Sequence, residues 1–283
     1  MKYKLLALDV DGTLVGPDNR VPAETVEALA EAEQAGLRVC IATGRSLRET
    51  QPVWRQLCLR SPFEPMILVG GAMVSECDSG RTLYHRPIAT QLAWEFGDAM
   101  ADMGFCAMAI VDAWRHGVDY YLSTDGDLAS AQRAWLNKMD VKLVRVRRLS
   151  QAADMPAPLR VSTVVPAAGS AESLAAELRR RFEGRLNVNA ILAPNYGVMI
   201  VEAHAVGADK FSALTYVAQA LRVGPGSIVA VGDDTNDLAM FRGAGLAVAM
   251  PSAPPQVRAA AHRVAEGGLA AFIRDLIAEN GQH

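Results

Sequence analysis

Leu5-Leu6-Ala7-Leu8-Asp9-Val10-Asp11-Gly12-Thr13 is the stretch that decides how this chain is read. A short apolar run ends abruptly in acid-x-acid-Gly. That pattern predicts a buried strand feeding a tight turn, with two carboxylates at the strand exit. In extended backbone, positions two apart face the same side, so Asp9 and Asp11 would point together. The apolar run is too short for the core of a signal peptide. No run in the sequence approaches the ~20 residues needed to span a bilayer.

Working outward, Pro22 opens a helical pattern in which Val26, Leu29 and Ala30 share a face, and Gly36 is placed to end it. Leu37 to Ala42 reads as a second apolar strand, with Thr43-Gly44-Arg45-Ser46 as its exit turn. Ser46 and Glu49 have capping-box spacing, although Pro52 argues against a helix starting there. Met66 to Val69 is a third strand candidate and runs into Gly70-Gly71. Strand and helix alternating in this way predict a parallel sheet covered on both faces.

The texture changes between 85 and 203. A helical stretch at 90–103 is followed by strand-like segments at 105–111, 118–122, 141–146, 159–165, 186–192 and 198–201. Helical patterns at 128–139 and 172–182 separate some of them. Strands adjacent in sequence imply antiparallel pairing, so this segment is expected to be an inserted α+β unit with its own sheet. Alternation then resumes with a helix at 208–222 and a strand at 227–231 ending in Gly232-Asp233-Asp234. A helix at 236–242, a strand at 246–250 and a last helix at 269–278 complete it. The expected division is an open α/β domain made of 1–84 and 204–283, interrupted by 85–203.

The chain has 283 residues, enough for roughly two domains at about 150 residues each. A hydrophobic share of 51% against 21% charged residues excludes long-range disorder. The net charge of −3 gives no electrostatic footprint for nucleic acid. Four scattered cysteines, none in a CxxC pair, fit a reducing cytoplasm.

In open α/β sheets ligands bind beyond the carboxyl ends of the strands. Asp9 and Asp11, Thr43, and Asp233 stand at three such ends. Asp234 and Asp237 add further acids close by. Carboxylates gathered this way repel one another unless a cation or a shared proton compensates, and an all-oxygen set favours Mg²⁺. Each feature also has a plain structural role: Asp-Gly is a turn dipeptide, a helix-opening Lys210 is ordinarily exposed, and Asn236 could be an N-cap. Their occurrence in order, at strand exits and helix starts of one sheet, is what favours chemistry.

Leu8-Asp9-Val10-Asp11-Gly12-Thr13-Leu14 resembles the first motif of the haloacid dehalogenase superfamily. Ala42-Thr43-Gly44-Arg45 is similar to its second motif, Lys210 matches the motif lysine, and Gly232-Asp233-Asp234-Thr235-Asn236-Asp237 resembles the acidic GDxxND motif. The insertion resembles the large α/β cap of the Cof-like sugar-phosphatase branch. This resemblance implies a Rossmann-like open parallel sheet with an inserted α+β cap. It also implies a Mg²⁺-dependent phosphatase of small phosphorylated metabolites, such as sugar phosphates, acting through an aspartyl-phosphate.

By the same resemblance Asp9 is the nucleophile and Asp11 the acid/base. Metal would be held by Asp9, Asp233 and the Asp11 carbonyl, with Asp237 orienting its waters or Lys210. Thr43, Lys210 and Asn236 would grip the phosphoryl oxygens, helped by backbone N–H groups around Gly12 and Gly44. Arg45 would reach the leaving group or pair with an acid. His116, Asp119 and Tyr121 are polar candidates for contacts in the inserted unit. The branch commonly has Asn-Gly where this chain has Gly70-Gly71, and Gly-Asn-Ala where it has Pro251-Ser252-Ala253. A phosphosugar mutase and a non-catalytic phosphoester-binding regulator are the competing readings; neither GxGxxG nor GxxxxGK[ST] occurs.

Overall fold

The strand β1 (Leu5–Leu8) is buried along its whole length, because it lies mid-sheet with both faces covered. A computed structural model describes residues 1–61, 64–126, 130, 132–133, 136, 141–165, 168–193 and 197–281 of the chain. Helix Ala23–Gln34 follows β1 and closes in a Schellman motif. The Leu37 N–H donates to the Ala32 carbonyl at 3.0 Å and the Gly36 N–H to the Glu33 carbonyl at 3.0 Å, with Gly36 at φ +86°. Strand β2 (Arg38–Ala42) leads to helix Leu47–Gln56. The Ser46–Glu49 capping box forms, and the helix runs through Pro52, against the expectation that this proline opposes a helix start here.

Strands β3 (Pro65–Leu68), β4 (Met73–Glu76) and β5 (Thr82–His85) follow. The β3–β4 hairpin is antiparallel and escaped the sequence reading, since its turn, 69–72, looked like a simple strand exit.

The chain divides into two compact units, Met1–Tyr84 with Asp209–His283, and His85–Ala208. The second unit ends beyond the expected 203 because its last strand continues to Ala205. Among the described residues its strands are β6 (Met108–Ile110), β7 (Tyr120–Ser123), β8 (Leu143–Val146), β9 (Arg160–Val165), β10 (Leu186–Ala193) and β11 (Val198–Ala205). Their order is β10-β11-β9-β6-β7-β8. Neighbours pair antiparallel except β7 and β8, which are parallel, against expectation. The segment 124–142 is long enough for the crossover a parallel pair requires. The helical reading at 128–139 falls largely outside the described residues. Helices Thr90–Asp102 and Ala168–Arg181 contribute Phe96, Met100, Leu174 and Leu178 to one core with Val161, Val201 and Ala203.

Returning to the first unit, helix Lys210–Ala220 precedes β12 (Ile228–Gly232), β13 (Leu246–Ala249) and β14 (Arg263–Val264), and helix Gly268–Gly281 ends the chain. The described sheet has the order β14-β13-β12-β1-β2-β3-β4-β5, parallel from β14 through β3. Leu5, Ala7, Cys40 and Ala230 pack in one core with Leu214 and Val217 of helix Lys210–Ala220. Each fully buried leucine there contributes about 1.5–3 kcal/mol. From β1 the chain winds to β2 and β3 on one side, and later to β12, β13 and β14 on the other. That reversal leaves a crevice beyond the carboxyl ends of β1, β2 and β12.

Candidate active site

Asp9 extends β1 by one residue, its N–H donating to the Val231 carbonyl at 3.0 Å. This ladder bond fixes its backbone, and its side chain is buried. The turn beyond is tight: the N–H groups of Leu14 and Val15 both donate to the Val10 carbonyl, at 3.0 and 2.9 Å. Gly12 sits in it at φ +79°, where a Cβ would fall 2.7 Å from Asp233 Cγ. Glycine is therefore needed for the approach of Asp233. Its N–H, expected among the phosphoryl donors, instead donates to the Val15 carbonyl at 3.0 Å.

Lys210 is the first residue of its helix, set there by the Asp209–Ser212 capping box; Ser212 N–H donates to Asp209 Oδ1 at 2.8 Å. Its side chain is buried, contrary to the ordinary expectation for a helix-opening lysine. Lys210 Nζ donates to Asp9 Oδ1 and to Asp237 Oδ1, both at 2.6 Å, with Asn236 Oδ1 farther off at 3.4 Å. Burial by itself would lower the ammonium's pKa, but the Asp237 and Asp9 carboxylates outweigh it and hold Lys210 above its usual range.

Asp237 is fully buried, and its other oxygen accepts from the backbone N–H groups of Asp233 at 3.0 Å and Asp234 at 3.1 Å. Both oxygens thus have structural partners, which suits a residue that orients its neighbours. Asn236 is not a helix N-cap; Asp234 is, accepting from Thr235 N–H at 2.6 Å.

Thr43 is buried at the end of β2, and its Oγ1 accepts from the Arg45 N–H at 3.1 Å. Gly44 lies beside it, with open space where a Cβ would stand. Arg45 points to Asp11 and grips it through two nitrogens, so of the two roles expected for it the structure shows the acid pairing. Its third contact, Nη1 to Asn19 Oδ1 at 2.6 Å, was not foreseen. Asn19 stands at φ +60°, which suits asparagine, but nothing in the spacing links it to Arg45. In the second unit Asp119 accepts from the Lys142 N–H at 2.7 Å and Tyr121 lies in the helix-covered core, so both hold structure; His116 is exposed.

Asp9, Asp233 and Asp237 bring carboxylate oxygens within 4.8 Å of one another. Burial, opposed by Lys210 and reinforced by Asp237 and Asp233, raises Asp9 well above the usual carboxylate range. Burial, with Asp237 and Asp234, pushes Asp233 up to about 7. An all-oxygen set whose like charges resist ionisation is the donor chemistry that fits a hard divalent cation. Asp11 contributes no carboxylate to this group, since Arg45 holds it.

A family profile for haloacid dehalogenase-like hydrolases matches residues 6–269. The chain belongs to that family. Among curated relatives of this haloacid dehalogenase-like hydrolase is a 5-amino-6-(5-phospho-D-ribitylamino)uracil phosphatase of Bacillus subtilis. It is 26% identical over 279 residues, 96% of this chain and 94% of the relative. An HMP-PP phosphatase of Serratia proteamaculans is 28% identical over 260 residues, covering 90% and 86%. A haloacid dehalogenase-like hydrolase from Bacteroides thetaiotaomicron shares the fold, with TM-score 0.78 at 23% identity over 97% of this chain and all of that one (100%). The enzyme is of the phosphoric monoester hydrolase class. Among the described residues no helix is long and apolar enough to cross a membrane.

Proposed function

We propose that this hydrolase is a Mg²⁺-dependent phosphatase of small phosphorylated metabolites working through an aspartyl-phosphate on Asp9. The observation that carries this reading is the buried Asp9 carboxylate at the end of β1, with Lys210 Nζ 2.6 Å from one oxygen and Asp233 and Asp237 beside it. Mg²⁺ held by Asp9 and Asp233 would neutralise charge on the phosphoryl group and the nucleophile.

Asp9 attacks phosphorus in line, forming the acyl-phosphate bond while the ester P–O bond breaks. Asp11 gives its proton to the departing alkoxide. It then takes one from the water that attacks the acyl-phosphate, freeing inorganic phosphate and regenerating Asp9. Lys210 and Thr43 stabilise the phosphoryl oxygens where charge grows, with Asn236 at the exposed edge of the grip. Asp237 holds Lys210 in line with Asp9.

A phosphorylated polyol or sugar is the first choice of substrate, a reading supported by the relative that is named for a 5-phospho-D-ribitylamino compound. The second unit, His85–Ala208, would supply selection among such esters.

Purified protein with Mg²⁺ should release inorganic phosphate from p-nitrophenyl phosphate and from members of a sugar-phosphate panel. No release from any ester would refute the proposal, and isomerised hexose phosphate in place of free phosphate would establish the mutase reading.

A further inference from the structure

Val69, Gly70 and Gly71, at the tip of the β3–β4 hairpin, hold three consecutive positive φ values of +52°, +66° and +100°. For a β-branched residue such as Val69 this is an uncommon and strained conformation. The tip is tied down on two sides. Toward the second motif, the Val69 N–H donates to the Arg45 carbonyl at 2.9 Å and the Gly70 N–H to the Thr43 carbonyl at 3.0 Å. Toward the lysine, Gly71 lies directly on the start of helix Lys210–Ala220. A Cβ there would collide with the Asp209 carbonyl and stand 2.6 Å from the Lys210 backbone nitrogen. The tip is buried at Val69 and Gly71.

We infer that this hairpin tip is a positioning element that sets the spacing between the Thr43 hydroxyl and the Lys210 ammonium. It deepens the phosphatase reading and rests on it, since those are the two groups assigned to the phosphoryl oxygens. The tip works by bracing the backbones that carry Thr43 and Lys210. At φ +66° Gly70 occupies a conformation that asparagine could also adopt. Both residues tolerate the left-handed region, whereas Gly71 must lack a side chain altogether.

The test compares Gly71→Ala with Gly245→Ala. The latter is equally crowded, its Cβ falling 2.6 Å from the Gly226 carbonyl carbon, but it lies at the opposite end of the parallel strands. Wild-type turnover of p-nitrophenyl phosphate is measured first, so a failure of the phosphatase reading is seen separately. Gly71→Ala is expected to lower kcat at least roughly tenfold and to weaken inhibition by inorganic phosphate by a similar factor. Gly245→Ala should lower Tm while changing both parameters less than about twofold. In a Lys210→Gln background the Gly71→Ala loss should shrink to under about threefold, because the two changes strike one grip.

If Gly71→Ala does not fold, Gly70→Val against Gly70→Asn decides. Valine should lose activity and asparagine keep it, at comparable Tm. Gly71→Ala with wild-type kcat and phosphate inhibition, an undiminished loss in the Lys210→Gln background, or equal activity of the two Gly70 variants would each overturn the inference.

Discussion

Arg45 engages both oxygens of the Asp11 carboxylate, Nε reaching Oδ2 at 2.9 Å and Nη2 reaching Oδ1 at 2.6 Å. This planar fork fixes the carboxylate plane in a way a lysine could not. Asn19 braces the guanidinium from outside. If Asp11 is the proton donor to the leaving group, one of its oxygens must leave the fork during turnover. The effect of Arg45→Ala should therefore depend on how much protonation the leaving group needs. Alkyl phosphates should lose roughly 10–100-fold in kcat, while p-nitrophenyl phosphate should lose only a few-fold. Equal losses for both esters would remove Arg45 from any role in orienting the acid.

Asp9→Asn preserves shape but removes the attacking oxyanion. Turnover should fall at least roughly a thousandfold, about 4 kcal/mol of barrier. Near-wild-type rates in a preparation free of background phosphatase would exclude the covalent route.

Cation binding should depend on pH in a definite direction. Asp233, pushed up to about 7 by burial and then by Asp237 and Asp234, keeps its proton below about pH 7 in the cation-free folded state. An unfolded aspartate has released it by about pH 4, so folding stability without cation falls as pH rises from about 4 to about 7. Mg²⁺ must displace that proton, and its apparent affinity should rise across the same window and then level. The Tm gain from saturating Mg²⁺ over a chelated control should thus be larger at about pH 8 than at about pH 5. A gain that is flat or falls with pH would contradict this proton–cation competition.

The two neighbouring acids Asp234 and Asp237 should differ sharply in stability. Asp237→Ala removes a buried partner of Lys210 and the acceptor for two backbone N–H groups, and should cost about 3–5 kcal/mol by urea denaturation. Asp234→Ala removes an N-cap at a partly exposed turn and should cost about 1 kcal/mol. Comparable costs would mean that the buried ion pair is not holding the loop.

Thiol chemistry should report the burial pattern directly. Burial pushes Cys77 up to about 12 and Cys40 higher still, and Cys106 is buried with its Sγ donating to the Gly126 carbonyl at 3.1 Å. Cys58 alone of the four is exposed. An aromatic disulfide reagent should label one thiol quickly in the native protein, and Cys58→Ser should abolish that phase.

The local pattern was enough for the parallel core. Leu5–Leu8, Arg38–Ala42 and Ile228–Gly232 are short apolar runs separated by helical periodicity, and such runs are stable only when both faces are covered. It was also enough to place Asp9, Thr43 and Asp233 at strand exits, because a turn after an apolar run is a local signal. Neither the β3–β4 hairpin nor the parallel β7–β8 pair could be read, since strand direction depends on how the intervening segment crosses, not on the strands' composition.

The division of labour among the charged groups was decided by tertiary structure alone. Lys210 is an ordinary helix-opening lysine until the fold buries it between Asp9 and Asp237, residues far apart along the chain. Arg45 is equally suited to a substrate or an acid until the turns at Asp11 and Asn19 bring both within its reach. Charge pairing falls off over a few ångströms, and only the folded chain sets distances on that scale between residues from different strands.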